Sequence, residues 1–197
     1  MDKFKNKYRI TSARLASWDY SNPGLYFITI CTKDRINIFG EIFNNEMCLN
    51  EIGKIADQSW IDIPNHFKNI ELGEFIVMPN HVHGIIIINE STVETGHALS
   101  HSQQSTQTQN ETTHALSLPN KLHHPRFRNQ GKNTISSMVG SFKSTVTKFA
   151  RPINTDFGWQ SRFYDHIIRS HDDYKRISNY ILRNAVNWKE DKFYNQP

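Results

Sequence analysis

Two apolar, β-rich runs lie almost back to back in the middle of the chain, and they constrain its fold more than any other feature. Residues 71–78 and 81–89 are rich in Ile, Val and Phe, and only the turn-forming pair Pro79-Asn80 separates them. We therefore expect two adjacent core strands joined by a tight turn.

The remaining elements follow from local signals of apolar periodicity, caps and turn residues. We predict a strand over residues 25–32, a hairpin over 38–49 around Asn44-Asn45, a helix from the N-cap Asn50 to about Pro64, a helix over 135–149, a strand within 159–170, and a last helix from His171 or Asp172 to about Trp188. This order is typical of a split βαβ sandwich. The sequence thus predicts an α+β fold of the ferredoxin or RRM-like kind, with a mainly antiparallel sheet and packed helices.

A break in composition interrupts this pattern. Residues 91–132 are rich in Ser, Thr, Gln, Asn and His and contain few large apolar residues. A segment of this length without structure of its own is usually a functional or disordered loop. We therefore predict one domain, residues 1–197, that carries a flexible polar insertion at 91–132.

Charge, cysteine content and hydropathy indicate which partners and which compartment to expect for this protein. The formal net charge is +4 and the sequence pI is about 9.0, which favours an acidic partner such as nucleic acid. Cys31 and Cys48 form no CxxC pair, so both are expected to be reduced. The N-terminus shows no signal-peptide pattern, and the apolar run 85–88 is far too short to span a bilayer. We expect a cytoplasmic protein with no membrane partner.

His81 and His83 are two residues apart at the start of the run 81–89. Alternate side chains of a strand point to the same face, so both imidazoles should lie on one face, with Val82 and Gly84 on the other. Two imidazoles at this spacing can bind one metal ion. The alternative is a pair of structural histidines without a ligand, and the His-x-His pattern alone does not decide between them.

The last predicted helix carries a second group of candidate residues. Tyr180 and Asn184, four residues apart, lie on one edge of its apolar stripe, and Arg183 lies just beyond that edge. An Asn carbonyl suits Mg²⁺ or Mn²⁺, so the helix can present an amide ligand beside a phenol. The alternative is that Tyr180 packs its ring at an interface and exposes its hydroxyl to water.

Three segments, in their order and spacing, resemble one family. Residues 78–84 (MPNHVHG) are similar to the His-hydrophobic-His motif of the IS200-like single-tyrosine (Y1) HUH transposases, and above all to that of their REP-associated relatives. Residues 159–169 (WQSRFYDHIIR) resemble the Trp-Gln-x-x-Phe/Tyr-x-x-His-x-Ile-Arg segment of that group, and residues 178–184 (SNYILRN) resemble its Asp-Tyr-Ile-x-x-Asn segment. The resemblance covers most of the chain outside residues 91–132.

The resemblance implies an HUH endonuclease architecture and a metal-dependent transposase that cuts single-stranded DNA beside hairpins. It assigns Tyr180 as the nucleophile that forms a 5′-phosphotyrosine intermediate, and His81, His83 and Asn184 as ligands of Mg²⁺ or Mn²⁺. The expected partner is single-stranded or hairpin DNA, bound by a monomer or a homodimer. The basic residues that are candidates for phosphate contacts are Arg126, Arg128, Lys143, Lys148, Arg162 and Arg183.

Three other functions remain open at this stage. A domesticated relative would bind hairpin DNA without cutting it, although the retained His81, His83 and Tyr180 argue against this. A plasmid relaxase or replication initiator often carries a third metal-binding histidine or paired tyrosines, and Tyr180 has no twin on its helix face. An unrelated metal hydrolase would need acidic ligands, for which the strands near His81 offer only Glu71 and Glu74.

Overall fold

The computed structural model describes residues 18–90, 131 and 133–194 in full, together with the backbone of residues 3–4 and 7–8. The insertion predicted at 91–132 therefore lies outside the described residues, apart from Gly131. Its predicted flexibility stays a prediction.

Most helices and strands lie close to the predicted segments. In chain order the helices and strands are β1 (Lys3–Phe4), β2 (Lys7–Tyr8), β3 (Gly24–Cys31), β4 (Gly40–Phe43), β5 (Glu46–Leu49), α1 (Glu51–Ile61), α2 (Ile63–His66), β6 (Ile70–Met78), β7 (His81–Ile88), α3 (Ile135–Ala150), β8 (Tyr164–Ile168) and α4 (His171–Leu182). The short elements β1, β2 and α2 were not predicted.

The central sheet has four strands in the order β6-β7-β3-β8, and every neighbouring pair is antiparallel. The first and second of these strands along the chain, β3 and β6, are parallel to each other with β7 between them, and α1 lies in their connection. Helix α3 lies in the connection from β7 to β8. The predicted α+β class and split βαβ arrangement are confirmed.

Caps and turns explain why the elements begin where they do. The Asn50 side chain accepts a hydrogen bond from the Gly53 amide and caps α1, as predicted. Thr134 and Ser137 form a capping box at the start of α3. Asn44 and Asn45 have φ values of 50° and 64°, the left-handed conformation that a tight hairpin turn requires, and they join β4 to β5.

Helices cover both faces of the sheet. On one face, α1 and α3 enclose the larger core, in which the fully buried Trp60 packs edge-on against Phe142. On the other face, Ile177 and Ile181 of α4 pack into a smaller core with Phe27. The alternation of side chains along β3 and β7 sends every second residue to each core.

The last helix is shorter than predicted. It ends at Leu182 and not near Trp188, because the backbone tightens beyond that point: the Asn184 amide donates to the Ile181 carbonyl three residues back. Ala185 and Trp188 are nevertheless buried, so turns continue the apolar pattern after the helix has ended. Periodicity alone does not separate these two conformations.

Within residues 18–90 and 133–194, no helix is both long enough and apolar enough to cross a membrane.

Candidate metal and tyrosine site

The two histidines lie side by side at the beginning of β7, on the face covered by α4. His81 and His83 are buried, and their ring centroids are 4.4 Å apart. Val82 packs into the core on the opposite face, and Gly84 faces Trp60 there. The prediction that both imidazoles share one face is confirmed.

A neighbouring side chain orients each imidazole through its Nδ1 atom. His81 Nδ1 lies 2.9 Å from Asn80 Oδ1, and His83 Nδ1 lies 2.8 Å from Thr29 Oγ1 on the adjacent strand. Among the described residues, His81 Nε2 is buried without a hydrogen-bond partner. An unpartnered buried polar atom costs on the order of 1–3 kcal/mol, so a ligand at this position would offset that cost.

Helix α4 brings Tyr180 to the histidines. Ile177 and Ile181 anchor the helix in the smaller core, and Tyr180 stands beside them with 38% of its surface exposed. Its hydroxyl lies 3.1 Å from His83 Nε2 and donates to Asp191 Oδ2 at 3.0 Å. The tyrosine therefore occupies the open edge of the histidine pair, where a ligand from solvent can reach it.

Asn184 reaches the same place from the turn after α4. It is 1% exposed, and its Nδ2 donates to Asp191 Oδ2 at 2.9 Å. Within the described part of the chain, its Oδ1 atom is buried and has no hydrogen-bond partner. Asn184 lies beside Tyr180 as predicted, since both donate to Asp191 Oδ2, but it does so from the turn that follows α4 and not from the helix. Its role as a metal ligand stays a prediction.

Asp191 is the site residue that sequence reasoning missed. Its carboxylate lies beside the two histidines. His81, His83 and Asp191 each offer one ligand atom, and these three atoms lie within 4.8 Å of one another. The sequence suggested acidic ligands only on the strands near His81, whereas Asp191 lies in the C-terminal segment (residues 188–194) and reaches the histidines through tertiary packing. Its sequence neighbourhood is polar and irregular, so no periodic signal marks it.

The two acidic residues that the sequence offered as metal ligands form hydrogen bonds with other residues instead. Glu71 accepts a hydrogen bond from Asn89. Glu74 accepts hydrogen bonds from the hydroxyls of Tyr174 and Ser178, at 2.9 and 2.8 Å, and so fastens α4 to β6.

Burial sets the protonation of the central groups. It lowers the pKa of His81 to about 4, against a smaller opposing effect of the Asp191 carboxylate. Burial also holds the pKa of His83 well below its usual value, with His81 and Lys192 adding to the shift. Both rings are therefore neutral at pH 7 and can offer a lone pair. Burial, and after it Asp191, raise the pKa of the Tyr180 hydroxyl, so it is protonated.

These groups fit a divalent metal ion. Two neutral imidazoles and a carboxylate converge, and two buried ligand-type atoms, His81 Nε2 and Asn184 Oδ1, lack partners among the described residues. Mixed nitrogen and oxygen ligands of this kind suit a divalent cation. The group could therefore bind a metal.

The predicted phosphate-contacting residues occupy different environments. Lys143 is partly buried, and its ammonium group donates to the carbonyls of Gln160 and Arg162 at 2.7 and 3.2 Å. Burial lowers the pKa of Lys143 to about 8. Arg162, Lys148 and Arg183 have exposed surfaces. Arg126 and Arg128 lie outside the described residues.

Two further cations, not singled out in the sequence, flank the site. The ring of Phe193 lies 4.5 Å from that of His81 and 5.8 Å from that of His83. Arg35 and Lys192 stand over this ring at 5.2 and 4.9 Å from its centroid. Positive charge therefore borders the histidine pair on the side of the C-terminal segment.

Comparison with known proteins agrees with this architecture. No family model matches the chain. A protein of Haemophilus influenzae (strain Rd) whose function is uncharacterised is 36% identical over 185 residues, which cover 93% of this chain and 92% of that protein. The structure of a REP-associated tyrosine transposase bound to a REP hairpin superposes with a TM-score of 0.55 and 18% identity, covering 93% of this chain and 77% of that one.

The structural likeness extends over nearly the whole chain and confirms that the predicted fold is that of this transposase. The sequence likeness extends equally far. The chain therefore has the fold of the REP-associated tyrosine transposase and belongs to the same family as the Haemophilus influenzae protein.

Proposed function

We propose that this chain is a metal-dependent endonuclease and strand transferase, an HUH-type tyrosine transposase that cuts single-stranded DNA beside hairpins. One observation carries the proposal: the Tyr180 hydroxyl lies 3.1 Å from His83 Nε2, at the edge of the His81, His83 and Asp191 group. A structure with the same fold holds a REP hairpin, which supports the choice of substrate.

The metal would be Mg²⁺ or Mn²⁺, held by His81 and His83 with oxygen atoms of Asp191 and Asn184. When bound, it would act as a Lewis acid that withdraws charge from the scissile phosphate. The low pKa of His81 means that the site needs no proton release from this ring before a metal binds at pH 7.

Tyr180 would attack the phosphorus. A bond forms between the phenolic oxygen and phosphorus, and the bond from phosphorus to the 3′-oxygen breaks, which leaves a 5′-phosphotyrosine link and a free 3′-OH. The phenol must lose its proton during attack, and Asp191 Oδ2 already accepts a hydrogen bond from it at 3.0 Å. Because burial and Asp191 raise the pKa of Tyr180, a nearby acceptor is required at neutral pH.

The position of Tyr180 favours single-stranded substrate. The Tyr180 side chain is partly exposed beside a covered sheet face, so the DNA backbone must approach it closely. Exposed Lys148, Arg162 and Arg183, with Lys192 beside the histidines, are proposed to contact phosphates. We extend the same role to Arg126, Arg128 and Lys143.

A second candidate function is a binding module that holds hairpin DNA without cutting it. The arrangement of the C-terminal segment favours this candidate. Phe193 packs on both imidazoles and so covers the histidine pair, and cleavage requires that this packing change. The two functions differ in one product, the covalent protein–DNA adduct.

The test is a cleavage assay on end-labelled hairpin oligonucleotides with single-stranded flanks. Wild-type protein, Tyr180→Phe and the control Tyr164→Phe would each be incubated with Mg²⁺, Mn²⁺ or EDTA and run on a denaturing gel. Tyr164 is also an exposed tyrosine near Phe27, at 49% exposure, so it controls for loss of a phenol as such. A metal-dependent adduct with wild type and Tyr164→Phe, absent with Tyr180→Phe, would support the nuclease. Tight binding without an adduct across the panel would support the binding module.

A further inference from the structure

One buried amide joins three segments around the site. Asn80, in the turn between β6 and β7, is 0% exposed. Its Nδ2 atom donates to the Arg35 carbonyl at 3.1 Å and to the Phe193 carbonyl at 2.9 Å. Its Oδ1 atom lies 2.9 Å from His81 Nδ1. A single side chain thus connects the imidazole, the turn after β3 and the C-terminal segment.

These contacts determine which way the amide points. Carbonyl oxygens can only accept hydrogen bonds, so the side that faces Arg35 and Phe193 must be the NH₂ group of Asn80. The amide oxygen must then face His81. Because that oxygen can only accept, His81 Nδ1 must carry the ring proton, and the lone pair of the neutral imidazole lies on Nε2.

His83 is held differently. Its Nδ1 partner is the hydroxyl of Thr29, which can either donate or accept by rotating. Thr29 therefore orients the His83 ring without selecting one tautomer. Of the two imidazoles, only His81 has its tautomer fixed by its Nδ1 partner.

The turn itself does not depend on this side chain. The Asn80 carbonyl accepts from the Thr32 amide at 2.9 Å and from the Thr32 hydroxyl at 3.0 Å. The Pro79 carbonyl accepts from the amides of Ile38 and Phe39. The backbone of residues 79–80 is thus held through its own carbonyls, and the side chain is available for another role.

We propose that Asn80 is a positioning residue for metal binding: it holds His81 in the Nδ1–H tautomer, with Nε2 free, and ties that ring to the Arg35 turn and the Phe193 segment. This rests on the proposed metal site, which Asn80 does not touch. An outer partner of this kind fixes the tautomer and ring orientation of a ligating histidine, and its loss typically lowers metal affinity by about 10- to 100-fold.

The first measurement is made on the wild-type protein. In ¹⁵N NMR spectra of the metal-free wild-type protein at pH 7.5, His81 should show the shift pattern of an imidazole protonated at Nδ1, with the signal assigned through His81→Gln. An Nε2–H imidazole at His81 would overturn the inference, whatever the variants do.

The second measurement is Mn²⁺ binding by isothermal titration calorimetry with Asn80→Ala and the control Asn65→Ala. Asn65 also makes a side-chain hydrogen bond, to Asp62, but it is exposed on α2. We expect Mn²⁺ affinity to fall about 10- to 100-fold in Asn80→Ala and to remain at the wild-type value in Asn65→Ala.

The outcomes separate the inference from the function on which it rests. Wild-type affinity in a folded Asn80→Ala variant would overturn the inference and leave the metal site standing. If wild-type protein binds no Mn²⁺, the proposed site and the inference both fail. If Asn80→Ala does not melt cooperatively, the tautomer of His81 in the wild-type protein decides whether the inference stands.

Discussion

Gly84 offers a sharp test of how the sheet positions the histidines. It directly follows His83 on β7 and faces the opposite core. A Cβ atom added there would lie 2.3 Å from Trp60 Cζ2 and 2.9 Å from Phe75 Cβ. Carbon atoms in good contact are about 3.5–4.0 Å apart, so the indole or the strand would have to move by more than about 1 Å.

Trp60 has little room to move. It is fully buried, lies 5.3 Å from Phe142 in an edge-on contact and stacks against Phe75. Overpacking of such a core costs about 1–3 kcal/mol. At roughly 2–4 °C per kcal/mol for a domain of this size, we expect Gly84→Ala to lower the Tm by about 2–12 °C. Because the strain falls beside His83, Mn²⁺ affinity should fall as well.

The matched control is Gly140→Ala on the exposed side of α3, where an added Cβ meets nothing within 4 Å. Alanine is favoured over glycine in a helix by about 0.8–1.0 kcal/mol, so this variant should raise the Tm by about 2–4 °C. Both would be measured by circular dichroism melting with and without Mn²⁺. A Tm for Gly84→Ala within about 1 °C of wild type would refute the reasoning, since a core able to absorb the methyl group does not hold Gly84 as tightly as argued.

Three other predictions concern acid stability, the attachment of α4 and the insertion. The pKa of His81 is about 4 in the folded protein and 6.5 ordinarily, so as the pH falls the unfolded chain binds a proton before the folded protein does. The free energy of unfolding of the metal-free protein should therefore fall by roughly 3 kcal/mol between pH 6.5 and about pH 4. Urea unfolding across this range measures it, and a flat profile would count against a neutral buried imidazole. Glu74→Ala removes the acceptor shared by Tyr174 and Ser178, so it should lower the unfolding free energy by about 1–2 kcal/mol and speed hydrogen exchange in α4; unchanged α4 exchange would argue against this attachment. Deleting most of residues 91–132 should leave cooperative melting intact, and loss of the folded state would show that the insertion belongs to the fold.

The strands and caps were predictable because their signals are local. Alternating or continuous β-branched runs, the Asn44-Asn45 turn and the Asn50 cap each act within a few residues, and the structure places all of them as predicted. The end of α4 was not predictable in this way. Ala185 and Trp188 keep the helical spacing of buried residues although the backbone there has already left the helix.

The site residues also differ in whether a local signal in the sequence could reveal them. The pair His81 and His83 could be found because strand geometry relates residues two apart, and the resemblance to a known family added Tyr180 and Asn184. Asp191 could not be found, because it reaches the histidines only when the C-terminal segment folds back over β7. The hydrogen bond from Asn80 to the Phe193 carbonyl, across more than a hundred residues, is likewise a product of tertiary structure.

Covalent attachment of Tyr180 to the 5′ end of cleaved DNA is the step that defines the proposed nuclease. The most direct measurement is mass spectrometry of proteolytic peptides from the protein–DNA adduct, formed with Mn²⁺ on hairpin oligonucleotides labelled at either end. We expect the label at the 3′ end to stay with the protein and the 5′-labelled fragment to be released with a free 3′-OH. The nucleotide should be attached to the peptide that contains Tyr180. Attachment to another residue, or retention of the 5′-labelled fragment on the protein, would contradict the proposal.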